Sequence, residues 1–133
     1  MKYHIYSFEK LEVWQLARGI RRDIYKLTET FPKGEQYNLN SQIRRAIGSV
    51  TANLVEGSGR STEKDRAHYT NNAYCSALEV LDHLIASYDL KLVDEVQYAT
   101  LRLKMDELIN KLNAYYKYQL GRKINLKDGF PGK

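Results

Sequence analysis

This chain of 133 residues has little of what usually interrupts helices or cross-links a small fold. Its one cysteine, Cys75, cannot form a disulfide within the chain, so a reducing compartment is the simplest expectation. Its two prolines, Pro32 and Pro131, leave residues 33–130 free of proline, which permits long helices there. No segment alternates apolar and polar residues for long enough to predict a strand.

Long apolar runs and common catalytic motifs are missing as well. The N-terminus has no apolar run of signal-peptide length, and no uncharged apolar segment could span a bilayer. We therefore expect a cytoplasmic protein without a membrane partner. A phosphate-binding loop, a dinucleotide fingerprint, a nucleophile elbow and a paired-cysteine zinc pattern are absent from the sequence. We accordingly expect no cofactor, no metal site and no catalytic residues, hence a protein that is not an enzyme.

Four amphipathic segments account for most of the chain. Apolar residues at three- and four-residue spacing predict one domain, 1–133, with helices over residues 11–30, 35–56, 62–90 and 94–120 and a loose C-terminal tail, 121–133. Thr62 with Asp65, and Asp94 with Gln97, have capping-box spacing at the starts of the third and fourth helices.

Glycines are expected to end two of these helices. Gly57 and Gly59 predict a left-handed terminating residue after the second helix, and Gly121 is expected to close the fourth. Loops of about four to six residues bring successive helices back antiparallel. The sequence therefore predicts an all-α fold, an antiparallel up-down-up-down four-helix bundle.

The second helix carries a polar stripe beside its apolar seam, and the third helix has a polar stripe of the same spacing. If the stripes face one another, they form a register-setting hydrogen-bond network within the bundle or across a subunit interface. A ligand pocket is the alternative, and a metal shared by Glu79 and His83 is a further one. The predicted network consists of Gln42, Arg45, Ser49, Asn53, Glu56, Arg60, Asn72, Ser76, Glu79 and His83.

Arginine and aromatic residues recur on the first two helices, and Tyr115, Tyr116 and Tyr118 cluster with basic residues near the C-terminus. This mixture can bind nucleic acid through phosphate contacts and base stacking. The candidate nucleic-acid-binding residues are Arg18, Arg21, Arg22, Arg44, Arg45, Arg122 and Lys123. Trp, Tyr and Arg are also enriched in subunit interfaces. Small residues there allow helices of neighbouring subunits to approach closely. The candidate interface residues are Trp14, Tyr25, Gly48 and Ala52.

Several motifs resemble one bacterial family. They include Phe8-Glu9-Lys10-Leu11-Glu12-Val13-Trp14-Gln15, Gln42-Ile43-Arg44-Arg45-Ala46, Glu56-Gly57 with Gly59-Arg60, and Ser76 with Glu79. Over roughly residues 8–90 the chain resembles the 23S rRNA intervening-sequence proteins. It departs from the family at Cys75, where glycine is usual, and at His83, where glutamine is frequent.

The resemblance implies a four-helix bundle assembled as a homopentameric ring, and it brings no established activity. The accessory proteins of diversity-generating retroelements are more distantly similar. They are basic pentamers that bind nucleic acid and a reverse transcriptase, an analogy of architecture that does not fix function.

Three functional hypotheses follow for a chain of net charge +5. The first is a non-enzymatic, self-assembling helical scaffold that binds RNA or DNA through arginine-bearing faces. The alternative is an adaptor that binds another protein and has no nucleic-acid role. The third is an enzyme that uses Glu56, Glu79 and His83.

Overall fold

The computed structural model describes residues 1–35, 38–121 and 126. Most of these residues are helical, and the described residues contain no strand. Short 3-10 turns at Ser7–Lys10 and Lys33–Glu35 precede the first and the second α-helix. The predicted all-α class is confirmed. The helices are α1 (Glu12–Thr28), α2 (Leu39–Ser58), α3 (Glu63–Asp89) and α4 (Glu95–Leu120).

The four helices pack in a cyclic order. α1 contacts α2 and α4, and α3 contacts the same two helices, so α1 and α3 lie on one diagonal of the bundle. Contacts along each pair of successive helices run in opposite directions. In α1 and α2, Arg21 meets Thr51 and Thr28 meets Arg44. The same holds for α2 with α3 and for α3 with α4, so successive helices are antiparallel. The described residues thus form an up-down-up-down bundle, as short connections require.

One apolar core runs along the bundle axis. Each helix contributes buried aliphatic side chains at three- and four-residue spacing, the pattern expected of a helix with one buried face. On α3 much of this face is alanine, which lets the neighbouring helices approach closely. The principal core residues are Val13, Ala17, Ile20, Ile24, Ile43, Ile47, Val50, Leu54, Ala73, Ala77, Val80, Leu84, Leu101, Met105, Leu108 and Leu112.

The predicted caps at the starts of α3 and α4 are confirmed. The Asp65 amide donates to Thr62 Oγ1 over 3.1 Å. Asp94 and Gln97 form a reciprocal capping box, with the Gln97 amide donating to Asp94 Oδ1 (2.7 Å) and the Asp94 amide to Gln97 Oε1 (2.9 Å). These bonds satisfy backbone groups that the first helical turn leaves without a partner. Gly121, as expected, closes α4 in the left-handed region, with φ 59°.

Both ends of α2 differ from the sequence prediction. The helix begins at Leu39, because Lys33–Glu35 forms a separate 3-10 turn and the Asn38 amide donates to the Glu35 carbonyl instead of continuing a helix. At its other end α2 runs through Ser58, and Gly59 caps it with φ −87°. The predicted left-handed residue after α2 is therefore wrong.

Gly57 has a packing role in place of a terminating one. A Cβ at this position would lie 3.0 Å from Tyr69 Cβ and 3.4 Å from the Arg66 carbonyl oxygen. Both atoms are fixed to the α3 backbone, so α2 and α3 would have to separate. At Gly19, a Cβ would meet nothing within 4 Å.

We expect Gly57→Ala to destabilise the fold by about 1 kcal/mol, because overpacking outweighs the helix-propensity gain of alanine. The matched variant Gly19→Ala should gain about 0.5–1 kcal/mol, since only the propensity term applies. Urea unfolding followed by circular dichroism measures both. Equal stabilisation in the two variants would contradict the close α2–α3 approach.

Candidate functional site

Polar side chains of α2 and α3 meet along the line where these helices touch. Ser49 and Ser76 share a hydrogen bond of 2.8 Å. Asn53 Nδ2 donates to the Ser49 carbonyl oxygen (2.8 Å) and lies 3.2 Å from Ser49 Oγ. All three side chains are half-buried, so these bonds satisfy groups that water reaches poorly. We name this line the polar seam; it comprises Gln42, Arg45, Ser49, Asn53, Ser76, Glu79 and His83.

Glu79 supplies the carboxylate of the polar seam. Arg45 forms an ion pair with it and also donates to Gln42 Oε1 from Nε (3.2 Å) and Nη2 (3.0 Å). His83 Nε2 lies 3.1 Å from Glu79 Oε2. Burial tends to raise the pKa of Glu79, but the hydrogen bonds from His83 and Arg45 outweigh it, so its pKa is lowered. A carboxylate held in this way accepts a proton less readily than a free one.

This arrangement makes stability depend on pH. A carboxyl whose folded pKa is lowered stabilises the fold above its unfolded pKa of about 4.3. That contribution is lost as pH falls through the folded pKa. Between about pH 5 and 3, we expect the unfolding free energy to fall more steeply in the wild type than in Glu79→Gln. Glu107→Gln, which removes an exposed carboxyl on α4 that forms no ion pair among the described residues, is the matched control; identical slopes in all three proteins would contradict the assignment.

A separate cluster lies at the end of α2. Arg60 Nη2 donates to Glu56 Oε2 over 3.4 Å. The guanidinium carbon of Arg60 lies 4.6 Å from the centre of the Tyr69 ring. Arg60 Nη2 also donates to the Tyr69 hydroxyl. Asn72 is half-buried, and its side chain makes no hydrogen bond to another described residue. The residues predicted as one network therefore form three hydrogen-bonded groups, two along the polar seam and one at the end of α2, and Asn72 is joined to none of them.

Arginines from α1 and α2 line the opposite side of α2. Arg44 Nε donates to Thr28 Oγ1 (2.8 Å), its Nη2 donates to the Tyr25 carbonyl (3.2 Å), and its guanidinium lies 4.3 Å from the Tyr25 ring centre. Arg21 Nη1 donates to Thr51 Oγ1 over 3.1 Å. These neutral acceptors orient the guanidinium groups and leave their charges uncompensated.

A second aromatic pairing lies nearer the start of α1. The Arg18 guanidinium lies 5.4 Å from the Trp14 ring centre. Arg22, one turn beyond Arg18, is exposed and also borders the groove between α1 and α4. None of the arginines on this side forms an ion pair with a carboxylate within the described part of the chain. We name this surface the arginine face; it comprises Arg18, Arg21, Arg22 and Arg44.

Arg45 does not belong to this surface, although the sequence groups it with Arg44. The two residues are consecutive on a helix, and Arg45 lies toward α3, where Glu79 neutralises it. Arg122 and Lys123 lie outside the described residues. Sequence reasoning also missed the two threonines that orient Arg44 and Arg21, because those contacts join residues 16 and 30 positions apart.

The predicted interface residues have different surroundings. Trp14 is only 8% exposed and belongs to the core cluster, whereas Tyr25 is 44% exposed beneath Arg44. Ala52 is exposed, and nothing lies within 4 Å of the position that a Cβ of Gly48 would occupy. Gly48 and Ala52 thus face outward and leave room that no described residue fills.

A groove between α1 and α4 has two adjoining cavities of about 460 and 390 Å³. Asp23, Lys26 and Lys104 line both, and Lys104 Nζ lies 2.7 Å from Asp23 Oδ2.

In the described residues, no group of three or more His, Cys, Asp or Glu side chains is placed to hold a metal. None of the described helices is long and apolar enough to cross a membrane.

Comparison with known proteins identifies the family. A crystal structure of a protein of unknown function from the S23 ribosomal protein family of Bacteroides thetaiotaomicron is similar, with a TM-score of 0.73 and 20% identity. The match covers 79% of this chain and 98% of that one, and it shows a shared fold. No curated protein matches significantly in sequence. The family described as "23S rRNA-intervening sequence protein" matches residues 9–114, and the chain therefore belongs to the 23S rRNA-intervening sequence protein family.

Proposed function

We propose that this chain is a non-enzymatic binding protein that assembles with copies of itself and binds RNA or DNA through the arginine face. The observation that supports this proposal most strongly is the set of arginines on one side of α1 and α2 that have neutral hydrogen-bond or aromatic partners and, among the described residues, no carboxylate partner. Nucleic-acid phosphates can supply the missing negative charge, and arginine binds them in a bidentate manner.

The spacing of the arginine face suits several phosphates. Arg44 lies at the level of Tyr25 and Thr28, seven to ten residues along α1 from Arg18. At 1.5 Å per helical residue, this separation is about 10–15 Å. One strand of B-form DNA carries a phosphate about every 3.4 Å along the helix axis, so each chain could contact about three or four phosphates. Assembly would multiply this number.

Salt dependence tests the electrostatic part of the proposal. Neutralising three or four phosphates should weaken duplex binding about 50- to 150-fold between 50 and 200 mM salt. Fluorescence anisotropy with a labelled 20-base-pair duplex measures this dependence. Affinity that does not change over this range would contradict phosphate binding through the arginine face.

The environment of the candidate catalytic residues supports binding over catalysis. Glu56 pairs with Arg60, and Glu79 pairs with Arg45, so different arginines hold the two carboxylates. The lowered pKa of Glu79 makes it a weaker general base at neutral pH.

A protein partner is the second candidate function, and the groove between α1 and α4 favours it. The groove is partly apolar and has charged residues on its rim, including Arg22 and Glu107. Because Gly19 lines the larger cavity, Gly19→Phe should fill it. A partner that remains bound after nuclease treatment and is lost in Gly19→Phe would favour this function.

A further inference from the structure

The N-terminal segment carries a chain of aromatic rings that leads to the arginine face. His4 and Tyr6 meet edge-to-face with ring centres 4.6 Å apart, and the rings of Tyr6 and Phe8 are nearly parallel, 6.4 Å apart. Phe8 in turn meets Trp14 edge-to-face at 5.0 Å, and Arg18 lies over Trp14. The rings thus connect the solvent-exposed N-terminus with the first arginine of the face.

The first rings of this chain are not needed by the core. Tyr3 is 77% exposed and Tyr6 59% exposed, while Phe8 packs partly against the core cluster. The backbone beneath Tyr6 is nevertheless fixed, because its amide donates to Glu9 Oε2 over 2.7 Å. Gln15 Nε2 donates to the Glu9 carbonyl (2.8 Å), which joins this turn to α1. Tyr6 is therefore an exposed ring on an ordered support.

An exposed ring that is joined through Phe8 and Trp14 to the arginine face suits an anionic ligand with planar apolar faces. Single-stranded nucleic acid has both features, because its bases are free to stack while its phosphates follow a basic surface. In a duplex the bases are already stacked on one another, so a duplex would gain only the phosphate contacts. Tyr25 beneath Arg44 offers a second exposed ring at the far end of the arginine face.

We infer that the ligand is single-stranded nucleic acid, with unpaired bases stacking on Tyr6 and its neighbouring rings while the phosphates follow the arginine face. This inference rests on the proposed function and narrows it to one class of nucleic acid. Tyr6, whose backbone is extended directly before the 3-10 turn at Ser7–Lys10, places its ring between those of His4 and Phe8. Larger purine bases should bind more tightly than pyrimidines.

The test compares labelled 15-nucleotide single strands, as RNA and as DNA, with a 15-base-pair duplex at one salt concentration, using fluorescence anisotropy. Tyr6→Ala should weaken single-strand binding about fivefold to 100-fold, the loss expected for one base–aromatic stack. Duplex binding should change less than about twofold, since Tyr6 contributes no charge. Tyr6→Phe, which keeps the ring, should bind like the wild type, and so should Tyr88→Ala, which removes an exposed ring at the far end of α3.

Trp14 offers an independent readout, because it is the only tryptophan of the chain. Single strands should change its emission in the wild type, and this change should shrink in Tyr6→Ala. If Tyr6→Ala binds single strands as the wild type does, or weakens single-strand and duplex binding equally, the inference is overturned while the proposed function stands. If no single strand or duplex binds, the proposed function fails as well. Where single strands bind, the difference between the RNA and DNA affinities shows which sugar is preferred.

Discussion

Reversing the charges of Arg18, Arg22 and Arg44 together is expected to abolish nucleic-acid binding. Among the described residues these arginines have no carboxylate partner, so their charge is available to phosphates. Each reversal removes an attraction and adds a repulsion in its place. We expect R18E/R22E/R44E to lower affinity more than about 100-fold at 50 mM salt, and the salt dependence to disappear with the lost phosphate contacts.

A matched variant separates the arginine face from the overall charge. K64E/K91E/K117E changes the net charge from +5 to −1, as the arginine variant does. Its three substitutions lie elsewhere, on α3, in the loop between α3 and α4, and on α4. It should retain most of the binding. Because Arg44 also donates to Thr28 and to the Tyr25 carbonyl, circular dichroism must verify that the triple variant is folded. The double variant R18E/R22E keeps Arg44 and reverses only exposed arginine charges. Equal loss in both triple variants would contradict a localised binding surface.

A leucine at Gly48 is expected to break the proposed assembly. Gly48 and Ala52 face outward from α2, so a second chain could approach there closely. Within one chain a Cβ at Gly48 meets nothing within 4 Å, so the fold itself should tolerate leucine. At a close contact between helices, the same side chain would force the chains apart. Light scattering should then give the mass of one chain, 15.5 kDa, for Gly48→Leu and a multiple of it for the wild type.

Gly19→Leu is the control for this experiment. Gly19 is also an interior helical glycine with no atom within 4 Å of its Cβ position, but it lies in the groove between α1 and α4. Both variants change helix propensity in the same way, and only Gly48→Leu should change the particle mass. A native mass in Gly48→Leu would contradict an interface at this surface of α2.

Local and periodic features could be predicted from the sequence. Four helices follow from the spacing of apolar residues, and the N-cap of α3 and the capping box of α4 follow from residues three positions apart. The start of α2 was missed, because nothing local distinguishes the 3-10 turn at Lys33–Glu35 from the first turn of a helix.

Most features that depend on contacts between helices could not be predicted. Gly57 looks like a helix terminator in the sequence, and only the position of Tyr69 on α3 shows that it allows close packing. Similarly, the sequence groups Arg44 with Arg45, whereas the fold directs one toward Thr28 and the other toward Glu79. The stripe pattern did suggest that Ser49 and Ser76 could face each other, and the structure places them 2.8 Å apart.

The aromatic chain at the N-terminus was also missed. His4, Tyr6 and Phe8 alternate along the sequence, which is the pattern of rings on one side of an extended backbone, although Phe8 lies in the 3-10 turn at Ser7–Lys10. The sequence does not show that Phe8 meets Trp14, which joins this segment to the arginine face.

The central claim is that several copies of this chain form one particle that binds nucleic acid. The most direct measurement is the absolute mass of the native particle at low and high salt, with absorbance recorded at 260 and 280 nm. We predict a particle of about five chains of 15.5 kDa, with excess absorbance at 260 nm that disappears at high salt. A single chain without bound nucleic acid under both conditions would contradict the claim.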